Sequence, residues 1–350
     1  MKKAKRNSKT MFTGEIFQVR IDEETIIAEI EKVKPKTIML SSPDGYLSQI
    51  HQFAAKIEKD YDIQTIISAD PCYGACDVLD EDTLRLKVDI SFHIGHNSSI
   101  KRIGNRTVLI DAYENVDFTK VIKKSLSMLK QFHRLGLCTI SPYLHQINTV
   151  KETLELEGFE ISIGEGQGKL LDGQIMGCRF NSAFNIRENI DALIFLGQSR
   201  FHAIGAALSC GKPTILLDPY LTVVENMENL SKKWLTRSIL QIYKTRDIER
   251  FGVIIGLREG QNLLSRAIQL KSRLLEYGKK VQMITLREIN EDRLASFINI
   301  DAFVQTACPR ISIDGENFRK PILSIPQTEA LFEIWDGKKP GAFFEKPFWL

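Results

Sequence analysis

Short unbroken apolar runs alternate along the chain with longer stretches in which apolar residues recur every three or four positions. "KTIMLSSPDG" is an apolar run ending in turn residues, "SQIHQFAAKIEKDY" carries apolar residues at helical spacing, and "TIISADP" is a second run. Strands buried on both faces read as continuous apolar runs, and a 3.6-residue period marks a helix with one buried face. The same order returns as "LGLCTISP", "HQINTVKETLELEGF" and "EISIGEG", and again as "FGVIIGL", "NLLSRAIQLKSRLLEYG" and "KVQMITL". Gly158 and Gly278 fall just past the second and third helical stretches, where a left-handed C-terminal cap favours glycine.

A further strand in each unit is introduced by an aspartate: "VDISFHIGH" from Val88, "IDALIFLGQ" from Ile190 and "IDAFVQTAC" from Ile300. Self-similarity at roughly one hundred residues is a domain-sized repeat. The pattern predicts an α/β fold of three similar domains with mainly parallel sheets flanked by helices, spanning residues 1–114, 115–219 and 220–350. No low-complexity linker separates them, so they are expected to pack tightly. The helical stretch "NMENLSKKWLTRSILQIYKTRDIERF" is expected to bridge into the third.

Composition narrows the class. The chain has 350 residues, 43% hydrophobic and 26% charged, which suits a soluble globular protein with a large core. Its longest apolar stretches are strand-sized, so no membrane span is expected. "MKKAKRNSKTMF" is basic but lacks the apolar run of a secretory signal, which makes it a solvated tail and the location cytoplasmic. A net charge of +3 is too small to argue for nucleic acid as a partner.

Six cysteines carry the candidate chemistry: Cys72, Cys76, Cys138, Cys178, Cys210 and Cys308. In a reducing cytoplasm, metal binding and plain burial compete as explanations. Cys76 lies 13 residues before Asp89 (89 − 76) and Cys178 lies 13 before Asp191 (191 − 178), so the two occupy equivalent loops. Cys308 breaks the offset, falling 7 residues after Asp301 (308 − 301). All three flank a central strand, where parallel α/β sheets build their sites. Glycine or proline beside each one, in "DPCYGACD", "IMGCRF" and "TACPR", lets backbone approach a cofactor closely. Cys138 sits inside an apolar strand and Cys210 ends an apolar helix, as small buried hydrophobes do. Cys72 has no counterpart in the repeat and is read as a non-ligand. Three thiolates suit an iron–sulfur cube with one iron open, and four would close it. A structural zinc would want a fourth ligand such as His93, His96 or His202, and plain burial of all six thiols also stays open.

"DPCYGACD", "GCRF", "LGQSRFHAIG" and "VQTACPRISID", in that order, resemble the archaeal 2-(3-amino-3-carboxypropyl)histidine synthases of diphthamide synthesis, with the likeness running from Arg20 to Pro326. The resemblance implies three α/β domains around one central 4Fe–4S cluster, held by Cys76, Cys178 and Cys308. It implies S-adenosylmethionine at the open iron, cleaved between sulfur and the methionine γ-carbon. The resulting 3-amino-3-carboxypropyl radical then adds to C2 of a histidine in translation elongation factor 2. It further implies a homodimer and an electron donor, with no direct nucleic-acid contact. The other readings are a non-catalytic electron-transfer subunit and a quinolinate-synthase-like enzyme; "GACD" and "ACPRISID" argue against the latter. Asn97 stands where the family pattern has serine after the second histidine, and "GAFFEKPFWL" has no family counterpart.

Further residues are candidates for holding S-adenosylmethionine. Gly197 and Ser199 form a turn with exposed amides suited to a carboxylate or ribose, opening a helix. Arg200 is placed to grip the methionyl carboxylate in a bidentate contact, and His202 to donate a hydrogen bond or move a proton. A helix cap with a surface arginine is the plainer alternative. Gln261 and Asn262 in "GLREGQN" are candidates for adenine or ribose, in a loop that lacks the GxGxxG form of a phosphate site. Arg310 offsets cluster charge or grips a carboxylate, and Asp314 orients Arg310 or caps a turn. His93 and His96 invite a metal reading, but strand alternation sends them to opposite faces unless the strand has ended by Gly95. A cofactor or partner contact is therefore preferred for them.

Overall fold

A computed structural model describes residues 19–72, 74, 76–78, 80–313 and 318–339 of the chain. The basic N-terminal tail, Asp314 and the "GAFFEKPFWL" end lie outside the described residues.

The repeat is realised as three sheets. In the first, strands run in the order Gln64–Ile67, Thr37–Ser41, Ile90–Ile94, Thr107–Ile110 and Arg102–Ile103, and only the last joins antiparallel. In the second the order is Glu160–Ile163, Arg134–Thr139, Ala192–Leu196, Thr214–Asp218 and, antiparallel, Val223–Asn226. The third is wholly parallel: Lys280–Leu286, Arg250–Gly256, Ala302–Gln305 and Ile322–Leu323. The second sheet therefore runs on to Asn226, beyond the boundary expected at residue 219. Among the described residues, no helix is long and apolar enough to cross a membrane.

Each predicted amphipathic stretch is a helix with its apolar stripe inward. Leu47–Tyr61 buries Ile50, Phe53, Ala54 and Ile57, Ile147–Leu156 buries Ile147, Val150 and Leu154, and Leu264–Glu276 buries Ala267, Leu270 and Leu274. Gly158 and Gly278 follow the last two with φ of 92° and 73°.

The repeated aspartates do the same work at the foot of every sheet. The backbone N–H groups of Asp89, Asp191 and Asp301 donate to the carbonyls of Thr37, Arg134 and Arg250, at 3.1, 2.8 and 2.9 Å. The carboxylate of Asp89 accepts from the amides of Lys36 and Thr37, that of Asp191 from His133 and Arg134, and Asp301 binds the Arg250 guanidinium. Each carboxylate thereby fixes where the first strand of its unit begins.

The units are joined in two different ways. Between the second and third, helix Glu228–Lys244 lies against both Arg200–Cys210 and Ile325–Trp335. One apolar core runs through the contact, from Phe195 and Ala206 through Ile242 to Phe251 and Phe332. The first unit keeps its own core and meets the others through polar groups. Asn97 accepts from the Ala112 amide through its side chain and from Gln174 through its carbonyl, at 3.0 and 2.7 Å. Glu114 accepts from the phenols of Tyr46, Tyr143 and Tyr220 at 2.8, 3.0 and 2.5 Å.

Candidate metal centre

Cys76 lies in the loop that follows strand Gln64–Ile67, and the third unit grips that loop from the side. The Gly260 amide donates to the Cys76 carbonyl at 2.9 Å. A Cβ on Gly260 would stand 2.5 Å from both the Cys76 Cα and its carbonyl oxygen, so only glycine permits the approach. Gln261 points its amide nitrogen at the Cys76 sulfur, 3.7 Å away. Arg258, largely buried, pairs with buried Asp77, donates to the Pro71 carbonyl at 3.4 Å and reaches Glu288 at 2.6 Å. The turn after Arg250–Gly256 thus locks the Cys76 loop in place.

Cys178 sits at the tip of a tight turn closed by reciprocal backbone bonds between Met176 and Arg179, with Gly177 supplying a φ of 57°. Cys308 follows strand Ala302–Gln305 and opens the short helix Pro309–Ile313. Its carbonyl accepts from the Gln305 amide at 2.8 Å and from Ile311 N–H at 3.0 Å.

The three thiols are near enough to sense one another's charge. Burial is the main force raising all three thiol pKa values, Cys308 to about 11. Cys178 also feels the charge of Cys76, and Cys308 that of both other thiols, while the Arg310 amide and guanidinium partly offset this for Cys308. Thiols that burden one another in a desolvated place suit a cationic metal core, which removes their protons and compensates their charge. Among the described residues, these three are not a set whose ligand atoms all lie within 4.8 Å of one another. A single zinc holds thiolates ~3.8 Å apart, from Zn–S bonds of ~2.3 Å. The spacing of these three is wider than one zinc ion bridges.

The other candidates divide. His202 is held in the first turn of its helix: its Nδ1 meets Ser199 Oγ at 2.7 Å, and Ser199 caps helix Arg200–Cys210. Burial chiefly, with the Arg310 and His96 charges after it, pulls the His202 pKa down to about 4, so the imidazole is neutral at pH 7. Arg310 lies over the Phe201 ring at 5.2 Å and its charge reaches both His202 and Cys308. Gly197 turns the chain with φ 131°, against the Tyr143 ring. Arg200 instead binds Glu225 at 2.8 Å on an exposed surface, and Asn262 is exposed beside Leu263 and Leu264. Arg258, Asp77 and Gly260 were not singled out from the sequence; Arg258 and Gly260 lie inside "GLREGQN", but their partners are 181 and 184 residues away (258 − 77, 260 − 76).

His93 and His96 do meet. The strand Ile90–Ile94 ends before Gly95, whose φ of 97° folds the chain back so that the rings lie 2.9 Å apart, nitrogen to nitrogen. Strand alternation therefore does not separate them. Cys138 and Cys210 are buried in the core, as expected.

A family model for diphthamide synthesis proteins matches residues 42–340. The chain belongs to the diphthamide synthesis protein family. Over 320 residues it is 28% identical to 2-(3-amino-3-carboxypropyl)histidine synthase of Pyrococcus horikoshii, covering 90% of this chain and 91% of that protein. It is 30% identical over 315 residues to subunit 1 of the corresponding synthase from Kluyveromyces lactis, covering 87% of this chain and 73% of the relative. The crystal structure of Dph2 from Pyrococcus horikoshii with a 4Fe–4S cluster superposes with a TM-score of 0.83 at 26% identity, covering 94% of each chain. The family's reach into yeasts weighs against taking the motifs as a mark of an archaeal chain.

Proposed function

We propose that this chain transfers a 3-amino-3-carboxypropyl group from S-adenosylmethionine to C2 of a histidine in translation elongation factor 2, the first step of diphthamide synthesis. What supports this reading is that Cys76, Cys178 and Cys308, one from each unit, are thiols coupled through one another's charge, in a chain matched almost end to end to a synthase of that name. These three thiolates would hold a 4Fe–4S cluster with one iron free of protein ligands. When bound there, the cluster supplies the reductive cleavage of S-adenosylmethionine that frees the aminocarboxypropyl group.

The chain's own residues position and protect. Gln261 offers its amide to the Cys76 sulfur, and Gly260 and Arg258 hold that loop still. Arg310 is a cation beside Cys308, suited to the methionyl carboxylate. Neutral His202 has its Nδ1 paired with Ser199, which leaves Nε2 to face a ligand as donor or acceptor according to the tautomer. A homodimer in the cytoplasm, served by a separate electron donor, completes the proposal.

The test is an anaerobic incubation of the reduced holoprotein with S-adenosylmethionine. Methylthioadenosine together with a modified elongation factor, or with an aminobutyrate product when that factor is omitted, supports the reading. An intact, reduced cluster that yields neither leaves the non-catalytic electron-transfer subunit in its place. Cys76→Ala is expected to abolish the cluster's absorbance, whereas Cys72→Ala leaves it intact.

A further inference from the structure

Beside the three thiols, and outside their set, stands a second group of ligand-type side chains. Cys72 Sγ lies 3.9 Å from His93 Nε2 and 4.0 Å from His96 Nδ1, and those two nitrogens are 2.9 Å apart. Three candidate donor atoms thus form a closed triangle, drawn from the loop after Gln64–Ile67 and from the end of Ile90–Ile94. We propose that Cys72, His93 and His96 bind a single zinc ion, separate from the iron–sulfur cluster.

The geometry is that of one face of a tetrahedral site. Zinc with one sulfur at ~2.3 Å and two nitrogens at ~2.0–2.1 Å places the nitrogens ~3.3 Å apart and the sulfur ~3.6 Å from each. Every side of the observed triangle is within about half an ångström of those values. The support behind the ligands is also present. Ser41 Oγ sits 3.1 Å from His93 Nδ1, which leaves Nε2 as the atom turned to the metal, as metal-bound histidines require of their other nitrogen. His93 is buried and Cys72 and His96 are half-buried, so the triangle is drawn into the protein rather than spread on its surface.

Metal binding displaces the Cys72 proton to solvent: the S–H bond breaks, an S–Zn bond forms, and no electrons are exchanged. Three protein ligands leave a fourth position for water or another small donor. One consequence rests on the radical reading of the neighbouring site, although the zinc itself does not. A metallated thiolate has no S–H hydrogen to surrender to a carbon radical, so zinc would remove one hydrogen donor, Cys72, from the neighbourhood of the three thiols.

The experiment uses the anaerobically purified holoprotein with its iron intact. One equivalent of zinc is added, loosely held metal is removed on a desalting column with a mild chelator, and iron and zinc are counted by mass spectrometry. One retained zinc per chain is expected, with X-ray absorption showing one sulfur at ~2.3 Å and two nitrogens at ~2.0 Å in its coordination shell. Cys72→Ser and His96→Gln are expected to lose that zinc without losing iron. Ser41→Ala should weaken it roughly tenfold or more, because it removes only the group that orients His93. The absorption spectrum of the unaltered protein needs no variant to fold. Failure of that protein to retain zinc, a sulfur-only shell, or zinc that depends on Cys76 rather than Cys72 overturns the proposal. So does loss of iron in Cys72→Ser, which would put Cys72 on the cluster. None of these outcomes depends on transferase activity.

Discussion

The joint between the second and third units and the joint that holds the first unit are built from opposite materials. The former is a continuous apolar core threaded by helix Glu228–Lys244. The latter depends on Arg258 with Asp77, Glu114 with Tyr143 and Tyr220, and Asn97 with Gln174. Apolar contact is non-directional and strengthens with area, whereas a hydrogen-bonded joint holds one geometry and fails when one partner is lost. The second and third units form a base, and the Cys76 loop is keyed to it.

The strongest way to break the contrast is Arg258→Ala. It removes the guanidinium that pairs with the buried Asp77 carboxylate, and breaking a buried ion pair of this kind costs about 3–5 kcal/mol. Iron is expected to be lost while the base stays folded, giving two melting transitions in calorimetry instead of one. Ile242→Ala cuts the apolar joint, where about 2–5 kcal/mol is at stake. Here a single transition should move down as a whole in urea, and a split transition would show the two joints to be alike.

Gly260→Ala tests keying more finely. The added methyl meets Cys76 backbone, and overpacking of this sort costs about 1–3 kcal/mol. Iron occupancy should fall far more than the melting temperature does; an unchanged iron count would mean that the loop shifts freely. Tyr143→Phe should have the smallest effect: one phenolic donor to Glu114 is lost while Tyr46 and Tyr220 still donate, with about 1.5 kcal/mol at stake, the low end for a bond to a charged group.

The same tyrosines give the polar joint an alkaline signature. Burial first, and the Glu114 charge after it, push Tyr46, Tyr143 and Tyr220 well above their ordinary 10.0. Above pH 10 the unfolded chain releases these protons and the native chain keeps them, so stability present below pH 10 is lost as pH rises. Tyr143→Phe should flatten the fall in urea midpoint above pH 10. An unchanged slope would take the tyrosines out of the account.

Much of the fold was legible because it obeys short-range rules. The strand runs, the helix stripes and the aspartates at residues 89, 191 and 301 repeat with the chain, and each leaves a local signal. Equal offsets also pointed to Cys76 and Cys178. What escaped was pairing across units. Arg258 looks like any turn arginine until Asp77 is beside it, and Glu114 was legible only as a residue of a boundary segment. Whether His93 and His96 face each other turned on where the strand stops, and the sequence does not say on which side of Gly95 that is. Arg200 carried a role by its place in "GQSRFHAIG", yet its guanidinium is engaged by Glu225, 25 residues on.

The clamp of Gly260 over Cys76 also bears on how the protein is born. Cys76 leaves the ribosome 232 residues before Cys308 (308 − 76), and 184 before Gly260 (260 − 76). At about 5–20 residues per second, the first thiol waits roughly 10 to 50 seconds for the last. Through most of that interval its loop lacks the cover that the third unit later provides. On the proposed ligand set the cluster closes only when synthesis is nearly complete, and until then Cys76 is without the cover of Gly260.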